Sequence, residues 1–158
     1  MIEEAPPSGL GVGEKHHRIE EAQASDLQSV RDLVTRCKLP LEGIADPETR
    51  LIVARHAGRI IGCAGVEIRG SAAVVRSLAV DPEHRGGGLG RQLMAAILAI
   101  ARDAGCRDVY GLTATALPMM KRLGFEAIPR EQVPEAARAS REFSISACAS
   151  AAAIHLSL

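Results

Sequence analysis

Arg76-Ser-Leu-Ala-Val-Asp-Pro-Glu-His-Arg-Gly-Gly-Gly-Leu-Gly90 runs an apolar segment into an Asp-Pro stop, three successive glycines and the start of a helix. Asp81-Pro82 ends the strand, because proline fixes φ and aspartate favours a turn. Beyond the glycines, Leu89, Leu93, Met94, Ile97, Leu98 and Ala101 recur at three- and four-residue steps, the period of one helix face. Gly105 closes that helix as a C-cap. A helix start carries unpaired N–H groups and a partial positive charge. Glycine lets an anion come close to that backbone, and Arg85 and Arg91 add a cation on either side. The pattern suits an anion the size of a pyrophosphate; a bare strand-to-helix turn is the alternative. No Gly-Lys-Ser/Thr follows, so a P-loop is excluded. The first strand lacks the glycine fingerprint of a Rossmann site.

Upstream of this stretch, His16–Gln23 reads as a first strand, and Ser25-Asp26 as the N-cap of a helix bearing Leu27, Val30, Leu33 and Val34. Leu39-Pro40 ends that helix. Segments 50–56, 59–68 and 72–80 read as strands joined at Ala57-Gly58 and Gly70-Ser71, which makes an antiparallel meander. Downstream, 108–113 reads as a strand, 115–123 as a helix ending at Gly124, and 125–128 as a short strand. Residues 131–142 read as helix and 151–158 as a last strand. The fold class is α/β of the mixed α+β kind: a central mixed sheet flanked by helices, in the order β-α-β-β-β-α-β-α-β before the last helix and strand. A cleft is expected where neighbouring strands part.

The chain has 158 residues, enough for one domain with a sizeable core. Residues 1–15, rich in Pro and Gly, read as a flexible lead-in, and 16–158 as the single domain. Lys+Arg and Asp+Glu both count 19, so the chain lacks the basic excess of a nucleic-acid binder. One Tyr, two Phe and no Trp leave few platforms for stacking bases. No apolar run approaches the roughly 20 residues of a membrane span, and the N-terminus lacks a signal-peptide pattern. A cytoplasmic location is expected. Cys37, Cys63, Cys106 and Cys148 form no C-x-x-C pair and read as free thiols, with no metal site implied.

Arg85-Gly-Gly-Gly-Leu-Gly90 fits the Q/R-x-x-G-x-G/A signature of the GNAT superfamily of N-acetyltransferases, which the chain resembles over roughly residues 17–128. Leu78-Ala-Val-Asp-Pro82 fits the lead-in strand and Leu123-Gly-Phe125 a later landmark of that family. The stretch from Val133-Pro134 to Arg141-Glu142-Phe143 looks like the group associated with arsenic-resistance operons; with Leu112-Thr-Ala-Thr115 it is also similar to glutamate N-acetyltransferase domains. The resemblance implies acetyl-CoA as acetyl donor, without a metal. It implies that the amides of Arg85, Gly86, Gly87, Gly88, Leu89 and Gly90, with Arg91, hold the pyrophosphate. The strand Leu78, Ala79, Val80 would pair the pantetheine arm as an added strand, and the Leu78 N–H becomes a candidate oxyanion donor. Some members of the fold are homodimers; no interface signal is legible here.

The acceptor is expected to be a small amino acid-like amine: glutamate, or an arsenical or phosphorus-containing toxic analogue. A non-catalytic CoA-binding module and a protein or peptide acetyltransferase are the alternatives. An amine must be neutral to attack, and Glu67 is the candidate proton acceptor; otherwise it is a solvated strand-end carboxylate. Arg76 shares alternate positions with Val74, Leu78 and Val80 and is a candidate for binding an acidic group of the substrate, or else forms an internal salt bridge. Thr113 and Thr115 either contact substrate or cap the next helix. Arg138 and Arg141, three apart, either meet an acidic substrate or form a solvated basic face. Lys121 and Arg122 either reach the CoA 3′-phosphate or are plain surface charge. Where many family members carry a tyrosine that protonates the departing thiolate, this chain has Met120, which cannot donate a proton. Tyr110, its only tyrosine, starts a strand elsewhere.

Overall fold

The computed structural model describes residues 17–145 and 149–158. The expected lead-in 1–15, His16 and Cys148 lie outside the described residues. Seven strands form one sheet: β1 (Arg18–Glu21), β2 (Thr49–His56), β3 (Arg59–Arg69), β4 (Ala72–Val80), β5 (Asp108–Thr113), β6 (Glu126–Ile128) and β7 (Ala152–Ser157), ordered β1-β2-β3-β4-β5-β7-β6. Strands β2 to β4 are the expected antiparallel meander, and β1 pairs antiparallel with the free edge of β2. The β2–β3 turn has positive φ at both Ala57 (53°) and Gly58 (77°), the twist a two-residue hairpin needs. β5 then joins β4 in parallel, and β7 inserts between β5 and β6, antiparallel to both.

Helix α2 (Leu89–Asp103) covers one face of the sheet. Its buried Leu89, Leu93, Met94, Ile97 and Ala101 meet Ile52, Ala64, Val66, Ala73, Val75, Val109 and Ile154 in one apolar cluster. Burying one such side chain contributes about 1.5–3 kcal/mol. The short α3 (Leu117–Arg122) adds Met120 to the same cluster. The opposite face is divided. Helix α1 (Leu27–Arg36) packs Val30, Leu33 and Val34 on Val53, Cys63 and Ala79. The segment containing α4 (Glu135–Arg138) packs Val133 and Ala137 on Ala72, Val74, Tyr110 and Ala153.

Three expectations are corrected. Residues 131–142 are not one helix but a 3-10 turn (Arg130–Gln132), α4, and a second 3-10 turn (Arg141–Ser144). Pro134 cannot continue a helix through its own N–H, and Ser140 is extended (φ −61°, ψ 141°) while its hydroxyl accepts from the Glu142 N–H at 3.1 Å. Asp26 is the N-cap residue of α1, as expected, but its carboxylate caps no amide of that helix; it closes a 3-10 turn, Ala24–Asp26, by accepting from the Gln23 N–H at 2.8 Å. The third correction concerns β4. Gly65 pairs with Arg76 but Cys63 pairs with Ala79, so β4 holds one extra residue there. This is a β-bulge, with Ser77 at φ 57°. The extra residue reverses the alternation of side chains. Arg76 shares its face with Val74 and Ala79, while Leu78 and Val80 turn to the α2 face.

Candidate active site

The pairing of β4 with β5 covers only Ala72 with Asp108, Ala73 with Val109 and Val74 with Tyr110. Past Val74 the strands part, and β5 continues to Thr113 on β7. Among the described residues no strand pairs with the β5-facing edge of β4 from Arg76 to Val80, which is the expected cleft. The bulge at Ser77 starts this exposed stretch, and the thiol of buried Cys63 donates to the Ser77 carbonyl at 3.3 Å. Burial pushes the Cys63 thiol up to about 12, so it stays a neutral donor.

The end of the open edge meets the glycine loop. Asp81 caps a 3-10 turn (Pro82–His84), accepting from the Glu83 N–H at 3.0 Å. Arg85 donates through Nε to the Val80 carbonyl at 2.9 Å, and its Nη2 lies 3.4 Å from Cys37 Sγ, which draws the loop against the end of β4. Gly86 and Gly88 have φ of 88° and 87°, a region costly for other residues. A Cβ at Gly86, Gly87 or Gly88 would meet nothing within 4 Å, so the loop borders open space. Gly88 is the N-cap of α2 and supplies no side-chain cap. The first amides of α2 therefore point out of the helix beside the open strand edge. Arg91, in the same turn, is exposed. The residues expected at the donor end are together in one notch.

On the other face, between α1 and α4, lies a buried charged cluster. Arg76 has 0% side-chain exposure. Its Nη1 donates to Glu67 Oε2 at 3.4 Å, its Nε to Ser77 Oγ at 3.3 Å, and its Nη2 to the Glu42 carbonyl. Nη2 also lies 3.6 Å from Glu142 Oε1. Gly65, its register partner on β3, gives the side chain room: a Cβ there would stand 3.2 Å from Arg76 Cγ. Glu67 is buried as well, and four donors surround it. Arg69 approaches Oε1 with Nε at 3.2 Å and Nη2 at 2.7 Å, and Ser140 donates to Oε2 at 2.8 Å. Glu142 is buried, and burial raises its carboxyl above the ordinary value; Arg76 opposes this, and Glu67 and Glu42 reinforce it.

Glu67 and Arg76 thus meet, but as an internal pair. The substrate-carboxylate role expected of Arg76 has no support in this geometry, because its donors are already committed inside the protein. The solvated alternative for Glu67 is corrected by the same burial. Thr113 is buried and its hydroxyl accepts from the Ala116 N–H at 3.0 Å, which closes the turn before α3 without capping that helix; Thr115 is exposed. Arg138 and Arg141 do not share a helix face, since the chain turns at Ser140 between them. Arg138 is exposed, and Arg141 pairs with Asp46 at 3.1 Å. Lys121 and Arg122 are exposed at the end of α3. Met120 is buried in the α2-face core. Tyr110 packs against His155 with ring centroids 4.9 Å apart, and burial, with Asp108 alongside, raises its phenol above the ordinary value. Sequence reasoning missed Ser77, Ser140 and Glu142. Ser140 carried a local signal, a serine placed to cap the two following residues; burial of Glu142 carried none. Among the described residues no group of three His, Cys, Asp or Glu side chains is arranged to hold a metal ion, and no helix is long and apolar enough to cross a membrane.

With the notch and the cluster defined, comparison with known proteins becomes informative. The acetyltransferase (GNAT) family profile matches residues 15–125, and the chain belongs to that family. It is 34% identical to the IAA acetyltransferase of Azospirillum brasilense over 93 residues, covering 55% of this chain and 61% of the relative. It is 34% identical to an amino-acid acetyltransferase of Pseudomonas fluorescens over 144 residues, covering 83% of this chain but 32% of that protein. The chain thus spans less than two thirds of the length of these curated relatives. Among solved structures, N-acetylglutamate synthase from Neisseria gonorrhoeae, complexed with coenzyme A and N-acetyl-glutamate, superposes with a TM-score of 0.78 at 21% identity. That match covers 92% of this chain and 36% of the synthase, and it establishes likeness of fold.

Proposed function

We propose that this chain transfers an acetyl group from acetyl-CoA to the amine of a small amino acid-like acceptor, in the cytoplasm. The observation that carries the reading is the open edge of β4 running directly into the uncapped start of α2. An extended ligand arm can pair with such an edge, and a diphosphate at its end then meets the amides of Arg85 to Gly90 with Arg91 alongside. The Leu78 N–H, just past the bulge, would face the thioester oxygen as negative charge develops on it. The backbone from Leu78 to Val80 would hold the arm.

The acceptor would approach from the face that carries the charged cluster. Residues 130–145 cover that face of β4 and β5, which favours a small acceptor over a peptide. The named relatives favour an amino acid: amino-acid acetyltransferases align over most of this chain, and the superposed synthase structure holds N-acetyl-glutamate. Glutamate is therefore the first acceptor to test. An arsenical or phosphorus-containing amino acid analogue is the second.

The experiment is thiol release from acetyl-CoA by the purified chain across a panel of amines: glutamate, other amino acids, a phosphorus-containing analogue and an arsenical one. Acceleration by one of them is expected. Tight acetyl-CoA binding with no thiol release from any amine would instead favour a non-catalytic binding module, which the replacement of the usual tyrosine by Met120 makes the main competitor.

A further inference from the structure

We infer that Glu142, not Glu67, accepts the proton from the acceptor amine, with Ser140 and Arg76 as the residues that position it. The inference rests on the acetyl-transfer reading above and assigns a role within it.

Two carboxylates lie in one buried cluster, and their surroundings differ. Glu67 has both oxygens occupied: Oε1 by Arg69 and Oε2 by Ser140 and Arg76. No lone pair is left facing an incoming proton. Glu142 Oε1 is buried and makes no hydrogen bond among the described residues; its neighbour is Arg76 Nη2 at 3.6 Å. A buried acceptor with vacant lone pairs is costly to leave unpaired, and its presence needs a reason. Accepting a substrate proton is such a reason. Paired carboxylates in contrasting environments commonly divide into one that stays charged and one that exchanges protons.

The place is also suitable. Phe143, the next residue, packs with Ala72, Val74 and Tyr110, where β4 and β5 begin to separate. Glu142 itself lies against Arg76, which begins the unpaired stretch of β4. Its backbone N–H is fixed by the Ser140 hydroxyl at 3.1 Å, and the same hydroxyl donates to Glu67, so one serine sets both carboxylates. The charged groups around Glu142 are Arg76 from β4, Glu67 from β3 with Arg69 behind it, and Glu42 from the loop after α1. Arg141, on its own turn, is directed away to Asp46. Burial and the two neighbouring glutamates hold the Glu142 carboxyl above its ordinary value, closer to the pH at which a proton acceptor works best. Ser140 and Glu142 lie beyond the family match at residues 15–125.

The acceptor ammonium gives one proton to Glu142 Oε1 and becomes a neutral amine. Its nitrogen attacks the thioester carbon of acetyl-CoA; the C–N bond forms and the C–S bond breaks. The second nitrogen proton ends on the departing CoA sulfur, and Glu142 later returns its proton to solvent.

The test compares wild type, Glu142→Gln, Glu142→Asp and Glu67→Gln, using the best amine from the panel and also hydroxylamine, which is largely neutral at pH 7. Thiol release is followed against pH, alongside acetyl-CoA affinity and Tm. Expected for Glu142→Gln is a kcat loss of roughly 10²-fold or more with the amino acid, loss of the rising limb of the pH profile, a much smaller loss with hydroxylamine, and unchanged acetyl-CoA affinity. Glu142→Asp should restore the limb, and Glu67→Gln should keep it. Equal losses with both acceptors, or a rising limb that survives in Glu142→Gln, would overturn the assignment. If wild type releases no thiol with any of the amines, the acetyl-transfer reading itself falls, and this assignment falls with it.

Discussion

The two sides of the proposed site, for donor and for acceptor, are made of different material. The donor side is main chain: an unpaired strand edge, three glycines and the first amides of α2. The acceptor side is side chain: Glu67, Arg76, Ser140 and Glu142, gathered from β3, β4 and the segment after α4. A main-chain site is specified by a few residues that permit a backbone shape. A side-chain site is specified by every member at once, because each buried charge needs its partners.

That contrast can be tested directly. The largest effect is expected on the acceptor side. Arg76→Met leaves Glu67 and Glu142 together without their shared cation, and breaking a buried pair in this way costs about 3–5 kcal/mol. Urea unfolding would measure the loss; a cost of the size seen for surface pairs would mean that the cluster is not held by charge. On the donor side, Gly88→Ala places a Cβ at φ 87° in otherwise open space. The penalty is conformational and local, about 1–2 kcal/mol. Acetyl-CoA affinity should weaken while the pH profile keeps its shape, and titration calorimetry together with the pH series would separate the two.

The smallest effect expected is on stability at Glu142. Its folded carboxyl binds the proton more tightly than the unfolded chain does, whose ordinary value is 4.5. Stability from this group is therefore full below that value and is lost as pH rises through the folded value. Glutamine carries no such titration. The Tm difference between Glu142→Gln and wild type should move in the variant's favour between acidic and neutral pH, by a few degrees at most. A difference that is flat with pH would show that the carboxylate meets no net penalty in the fold.

The same division explains what could be read in the sequence. The donor side was legible because backbone features leave local marks: Asp81-Pro82 for the strand end, the run of glycines for the loop, and the three-four spacing from Leu89 to Ala101 for α2. All seven strands were legible by alternation and turn residues. The acceptor side was only half legible. Glu67 and Arg76 stood out as charges in apolar strands, but their partners lie 73 residues away in the case of Ser140 and on a separate segment in the case of Glu142, and no local pattern links them. The register of β4 was misread for a related reason. A bulge adds one residue without changing composition, so alternation counted from Val74 placed Leu78 and Val80 on the wrong face. The helix expected over 131–142 is interrupted because Pro134 has no N–H to donate and Ser140 is extended.

The bulge at Ser77 has a mechanical consequence. Arg76 belongs to the charged cluster and Leu78 to the open edge, with the strained Ser77 the only residue between them. Its hydroxyl takes the Arg76 Nε and its carbonyl takes the Cys63 thiol, so both of its polar ends are tethered. The guanidinium is thereby tied to the residue directly before the Leu78 amide. The buried charged cluster and the unpaired strand edge are thus joined through one tethered residue of the backbone.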